Sequence, residues 1–148
     1  MGLAKLSFLY QTLVLEHAKT PHHYAANLPT NGQELTLHNP TCGDTINVAL
    51  QLQDHHLHNL CFNGSGCSIS QASASMMTEV LNGKSVDEAD QLIQAFFDLC
   101  MGKAVSPELQ KQLQDAAIMG RVAEFPARIK CATLSWHAVQ DLLQKKTD

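Results

Sequence analysis

Three short segments place cysteines where they could do chemistry. The first is Asn39-Pro40-Thr41-Cys42-Gly43-Asp44. Pro40 and Gly43 bend the backbone, so Cys42 and Asp44 can point at one place. A thiolate and a carboxylate this close on a loop suit a metal ion; taken alone, the segment is equally an Asx turn beside a chance cysteine. The second is Gly64-Ser65-Gly66-Cys67-Ser68-Ile69-Ser70. Cys67 falls where a strand gives way to a helix, and free N–H groups at a helix start lower a thiol's pKa. Its plain alternative is a glycine-rich turn with a packed cysteine. Dinucleotide binding is a poor rival, because Ile69 stands where the fingerprint needs its third glycine. The third is Arg128-Ile129-Lys130-Cys131-Ala132-Thr133-Leu134-Ser135-Trp136. Cys131 sits near a predicted helix start, and its cationic neighbours Arg128 and Lys130 favour a thiolate; a solvated basic turn is the alternative.

Pooled, Cys42, Asp44, Cys67 and Cys131 complete the four ligands of a tetrahedral zinc shell. Thiolates also suit iron–sulfur clusters. Four anionic ligands around a divalent ion leave a charge of about -2, which Arg128 and Lys130 could partly offset. Structural zinc sites are mostly all-Cys or Cys/His, so an oxygen ligand suggests a site meant to rearrange. The other two cysteines, Cys61 and Cys100, suit core packing. Five cysteines, an odd number, argue against a disulfide framework. His22-His23 and His55-His56-His58 read as solvated loop residues, and no His-Glu-x-x-His is present. Met76-Met77 and Phe96-Phe97 fall in helical patterns and suit the core. Trp136 fits either the core or a partner surface.

The elements that must hold these segments are legible from periodicity. Leu6, Leu9, Tyr10, Leu13 and His17 mark one face of an N-terminal helix ending at Pro21. Pro29, Asn31 and Gly32 signal a loop. Ile46, Val48, Leu50 and Leu52 alternate with Asn47, Ala49, Gln51 and Gln53, as in a half-buried strand. A turn at 54–56 and a return strand over 57–62 follow, and 34–38 supplies a third strand. A helix over 69–81 is closed by Asn82-Gly83. Ser85 and Glu88 form a capping box for a helix burying Val86, Ala89, Leu92, Ile93 and Phe96, which ends at Gly102. Ser106-Pro107 opens another that Gly120 closes. A last helix begins near Cys131 with Leu134, Ala138 and Leu142 on one face. The order is α+β: an N-terminal helix, a small three-stranded antiparallel sheet, then several helices.

The whole chain sets the bounds. Its 148 residues fit one domain over 1–148, and 45% hydrophobic residues suffice for one core. A net charge of -4 and no basic block predict no nucleic-acid or membrane partner; Lys145-Lys146 is too short to count. No apolar run spans a bilayer. Residues 1–6 lack a secretory signal's hydrophobic core, and Leu6 breaks the myristoylation pattern, so the expected compartment is the cytoplasm.

Set in order, the Asn-Pro-Thr-Cys-Gly-Asp motif, the stretch from Gly64 to Met77 and the stretch from Arg128 to Trp136 resemble the U-type iron–sulfur cluster assembly proteins, the SufU/IscU/NifU N-terminal family. The resemblance covers nearly the whole chain. It implies the α+β fold above, with metal at Cys42, Asp44, Cys67 and Cys131. The likeness is greater to the SufU branch than to the IscU scaffolds. Lys130 stands where IscU proteins place histidine, and the stretch between Cys67 and Cys131 is longer, with the extra length near Cys100 to Val122. Glu124-Phe125-Pro126-Ala127-Arg128 stands where IscU carries its chaperone signal. The SufU branch implies a zinc-dependent sulfur acceptor, with Cys42 as the catalytic thiol. It takes persulfide sulfur from a PLP-dependent cysteine desulfurase of SufS type and serves a downstream iron–sulfur scaffold. It implies a sulfurtransferase-like partner of the desulfurase rather than a stand-alone enzyme. The alternative is a scaffold that builds a transient iron–sulfur cluster and passes it on. A zinc-stabilised interaction module is the third reading.

Overall fold

Three-and-four spacing of apolar residues builds α1 (Leu3–Lys19), which stops just short of Pro21. In this computed structural model residues 3–147 are described, with side chains for 7–144. The expected facing of Leu6, and the Lys145-Lys146 pair, lie outside the described residues. Tyr10 and Leu13 pack against the core, while Val14, not in the expected stripe, is buried beside His17.

The sheet is antiparallel in the order β1 (Gln33–Asn39), β2 (Asp44–Gln53), β3 (His56–Ser65). Asp54 and His55 join β2 to β3 with φ of 53° and 62°, the left-handed pair that matches strand twist in a tight hairpin. Ile46, Val48 and Leu50 are buried as expected, but so is Ala49, and Leu52 is only half-buried. The irregular register between Ala49 and Gln51 breaks the two-residue period there.

α2 (Ser68–Leu81) ends at Asn82, and Gly83 takes φ of 81°. α3 (Val86–Cys100) carries the complete capping box of Ser85 and Glu88, and buries Ala89, Leu92, Ile93 and Phe96. α4 (Pro107–Gln112) is capped by Ser106 but does not reach Gly120. Gln114 adopts φ of 54°, and a 3-10 segment runs Gln114–Glu124. The reason is periodicity: Leu113, Ala116, Met119 and Val122, all buried, recur every third residue, and only three residues per turn keeps such a stripe on one face. Gly120 lies inside this segment, close against Leu99.

α5 (Pro126–Thr147) starts five residues before Cys131, with Pro126 as its first residue. It packs on β1, β2, α2, α3 and the 3-10 segment. Its burial therefore extends well beyond Leu134, Ala138 and Leu142 to Ala132, Trp136, Val139 and Leu143. The run of serine and alanine in α2 permits this close approach. Ser73 Oγ donates to the Ala132 carbonyl and accepts from Trp136 Nε1. Trp136 also stacks on Phe96 at 3.9 Å, so it belongs to the core, as do Met76 and Met77.

The histidines near the N-terminal helix are more engaged than solvated loop residues. His17 bonds Ser75 Oγ at 2.7 Å and Asp115 of the 3-10 segment at 3.1 Å. His22 meets Glu79 at 2.7 Å and His23 meets Thr78 at 2.9 Å, tying their loop to α2. Among the described residues, no helix is long and apolar enough to cross a membrane.

Candidate metal centre

Asn39 and Asp44 face each other as the last β1 residue and the first β2 residue. The four residues between them form the hairpin tip, where Gly43 takes φ of 69°. Cys42 sits half-buried on this tip, while Asn39 and Asp44 are buried at its base. Cys67 is the N-cap of α2, its Sγ accepting from the Ser70 N–H at 3.4 Å. Cys131, in the second turn of α5, rises from below and is fully buried.

Sγ of Cys42, a carboxylate oxygen of Asp44 and Sγ of Cys131 all lie within 4.8 Å of one another, a group that could hold a metal ion. The Cys131 thiol donates to Cys42 Sγ at 3.0 Å, and Arg128 Nη1 lies 3.9 Å from the same sulfur. Cys67 is not in this tight group. It borders it through its backbone N–H, which donates to Asp44 Oδ1 at 2.8 Å, and through its thiol, which faces Asp44 and Cys131. Asp44 also accepts from Ser70 Oγ at 3.2 Å and from Asn39 Nδ2 at 3.2 Å, and Asn39 reaches on to Cys131 Sγ at 3.6 Å.

Asn39 and Ser70 thus orient the group, and neither stood out as a single residue in the sequence. Both had a signal. Asn39 pairs with Asp44 across a four-residue hairpin tip, and Ser70 lies three residues after a helix cap, where a side chain turns back to the cap.

The electrostatics differ from the sequence expectation at Cys131. Burial pushes its thiol well above the ordinary thiol range, and hydrogen bonding to Cys42 and Cys67 and the nearby Asp44 add to the rise. The expected lowering by neighbouring cations loses, because desolvation and anionic neighbours outweigh it. Lys130 is exposed and lines a separate cleft. At Asp44 burial also opposes ionisation, but the Cys67 backbone N–H, the thiols of Cys131 and Cys67 and the Asn39 amide hold the carboxyl below its usual range. Cys61 and Cys100 lie apart from the group. Burial raises both thiols, that of Cys100 to about 12. Cys100 is core, as expected, whereas Cys61 is only partly buried.

An α+β domain thus turns a hairpin tip, a helix cap and a central helix toward one cluster of thiols around a carboxylate, a group that could hold a metal ion. The NifU-like N-terminal domain family matches residues 9–132, and the chain belongs to that family. It is 39% identical to the iron–sulfur cluster assembly scaffold protein IscU of Streptococcus pyogenes serotype M1, over 100% of this chain and 91% of that one. It is 37% identical to the zinc-dependent sulfurtransferase SufU of Bacillus subtilis strain 168, over 97% and 95% of the two chains. A solved crystal structure of a hypothetical protein superposes with a TM-score of 0.84 at 39% identity, covering 93% of this chain and 98% of that one. The element order expected from the sequence is the order of this fold.

Proposed function

We propose that this chain accepts sulfur on Cys42 from the persulfide of a PLP-dependent cysteine desulfurase and delivers it for iron–sulfur cluster assembly. The observation that carries the reading is the setting of Cys42. It is a half-buried thiol on a hairpin tip, with the Cys131 sulfur at 3.0 Å and the Arg128 guanidinium at 3.9 Å. The B. subtilis relative named as a zinc-dependent sulfurtransferase supports it across almost the whole chain.

Cys42, Asp44, Cys67 and Cys131 are the residues that would hold zinc. Two donors each about 2.3 Å from one ion stand at most about 4.6 Å apart. Three of the donors lie within 4.8 Å of one another, so small side-chain movements would bring them to the roughly 3.3–3.8 Å separations of a tetrahedral shell, and the sulfur-rich set suits zinc. Cys67, whose thiol faces Asp44 and Cys131, would complete the set. When bound, zinc keeps its cysteine ligands deprotonated at neutral pH.

The transfer itself belongs to the chain's own side chains. The Cys42 thiolate attacks the outer sulfur of the desulfurase persulfide. The S–S bond of that persulfide breaks, the desulfurase cysteine leaves as a thiolate, and Cys42 now carries the outer sulfur. Arg128 faces the charge on Cys42 as it moves. Asn39 and Ser70 keep Asp44 in place. A cleft of about 420 Å³, lined by Pro40, Thr41, Lys130, Thr133 and His137, opens beside the hairpin tip and leaves it approachable.

The test is incubation of the protein with desulfurase and cysteine, followed by mass-spectrometric mapping of the persulfide. The added sulfur is expected on Cys42, and Cys42→Ala is expected to abolish stimulation of the desulfurase. A persulfide found mainly on Cys131, with Cys42→Ala still stimulating turnover, overturns the proposal. The scaffold reading draws on the S. pyogenes relative, named a scaffold and matched over the full chain. It requires iron and sulfide in anaerobically purified protein, and the sulfur-acceptor reading does not.

A further inference from the structure

We propose that Cys131 resolves the Cys42 persulfide, expelling hydrosulfide and closing a Cys42–Cys131 disulfide. The inference rests on the sulfur-acceptor reading and adds how sulfur leaves at the oxidation level of sulfide.

The geometry is specific to this pair. The two sulfurs lie 3.0 Å apart, and a disulfide needs about 2.0 Å, so closure asks for roughly 1 Å of movement. Cys42 can supply it, since its tip is exposed on both sides and an added Cβ at Gly43 meets nothing within 4 Å. Cys131 stays put, because it is fully buried on α5 and touched by Asn39 Nδ2. The two sulfurs are already in contact. Cys67 also faces Cys131, but its sulfur caps α2 and lies outside the group whose donors all sit within 4.8 Å of one another. Cys61 lies on β3 and Cys100 packs near the Met119 carbonyl, each away from the group.

The step balances. The Cys131 sulfur attacks the inner sulfur of the persulfide, Cys42 Sγ, and the bond to the outer sulfur breaks. The Cys131 sulfur reacts as the thiolate, and the outer sulfur leaves with the bond's electron pair as hydrosulfide, keeping its own S–H proton or taking one from solvent. Hydrosulfide is a better leaving group than an alkyl thiolate, which favours attack in this direction. The outer sulfur is reduced, and Cys131 is oxidised into the disulfide. A dithiol reductant must then supply two electrons and two protons to restore both thiols, itself ending as a disulfide. While oxidised, the pair withdraws two donors from the metal-binding group.

The experiment loads the full-length, metal-loaded protein in two ways, without added reductant. One arm uses desulfurase and cysteine; the other uses glutathione persulfide with no desulfurase. Released sulfide, bound metal and non-reduced peptide maps are followed. The expected result in both arms is about one sulfide per chain, a cross-linked peptide joining Cys42 to Cys131, and loss of metal in step. Cys131→Ser should hold the extra sulfur on Cys42 and release sulfide at least about tenfold more slowly, while Cys61→Ser behaves as the parent. Wild-type protein carrying a Cys42 persulfide that persists with no cross-link overturns the inference and leaves the acceptor reading standing. A cross-link formed with glutathione persulfide but no loading by desulfurase does the reverse. The cross-link is read on the wild-type chain, so a misfolded variant cannot obscure the outcome.

Discussion

Gly66→Ala should damage the centre without touching any sulfur. Gly66 has φ of 147°, a conformation that side chains rarely adopt, and forcing alanine into it costs about 1–3 kcal/mol. The new Cβ would also stand 2.3 Å from Asp44 Oδ1 and 2.9 Å from Asp44 Cα. The second distance is to backbone, so rotating the carboxylate does not relieve it. Asp44 must shift, and the 2.8 Å bond from the Cys67 N–H to its carboxylate is lost. A hydrogen bond to a charged acceptor contributes about 1.5–3 kcal/mol. The combined cost is about 3–6 kcal/mol, a large part of the 5–15 kcal/mol typical of a folded domain. At about 2–4 °C per kcal/mol for a chain of this size, the melting temperature should fall by at least about 6 °C. Gly43→Ala is the control: φ is 69°, nothing lies within 4 Å, and only about 1–2 kcal/mol of backbone strain applies. Calorimetry of both variants, with metal content measured on the same samples, is the assay. A Gly66→Ala melting temperature within about 2 °C of the parent, with metal retained, would refute the reasoning.

Metal removal is expected to destabilise the fold, because the ligands come from a hairpin tip, a helix cap and a central helix. A ligand at a thousandfold excess over its Kd contributes about 4 kcal/mol, so chelation should lower the melting temperature clearly, and Cys61→Ser and Cys100→Ser should keep stoichiometric zinc. An unchanged melting temperature after verified zinc removal contradicts this. At the start of α3, the Ser85 backbone N–H and side chain hold the Glu88 carboxyl below its ordinary value of 4.5. Because the folded pKa is the lower one, this contribution is complete above about pH 4.5 and drains away as pH falls through the folded value. Ser85→Ala should therefore lower the urea midpoint at pH 7 and flatten its decline below pH 4.5; parallel curves for parent and variant would exclude the linkage.

Where local chemistry dominates, the sequence was a sufficient guide. Asn82-Gly83, the Ser85–Glu88 box and Ser106-Pro107 act through neighbours along the chain, and each marks the element end it predicted. Alternation in β2 located the sheet because one face is buried. The failures have physical causes. The sequence reading starts the last helix near Cys131, but Pro126 is a better first residue. Gly120 read as a stop, but the buried three-residue stripe from Leu113 to Val122 carries a 3-10 segment through it.

By itself the sequence determined which donor types the site can offer. Cysteine and aspartate identities decide which chemistry is possible, and no packing can supply a sulfur that the chain lacks. It also determined that Cys67 caps a helix, since glycine, strand end and helix start are local. Only the tertiary structure decided which donors meet. Cys42 and Cys131 are 89 residues apart, and their 3.0 Å approach depends on α5 packing beneath the β1–β2 hairpin. It likewise decided that Trp136 is core and that Cys131 is desolvated rather than activated by nearby cations. Burial and long-range proximity arise from the packing of whole elements, and no window of neighbouring residues contains them.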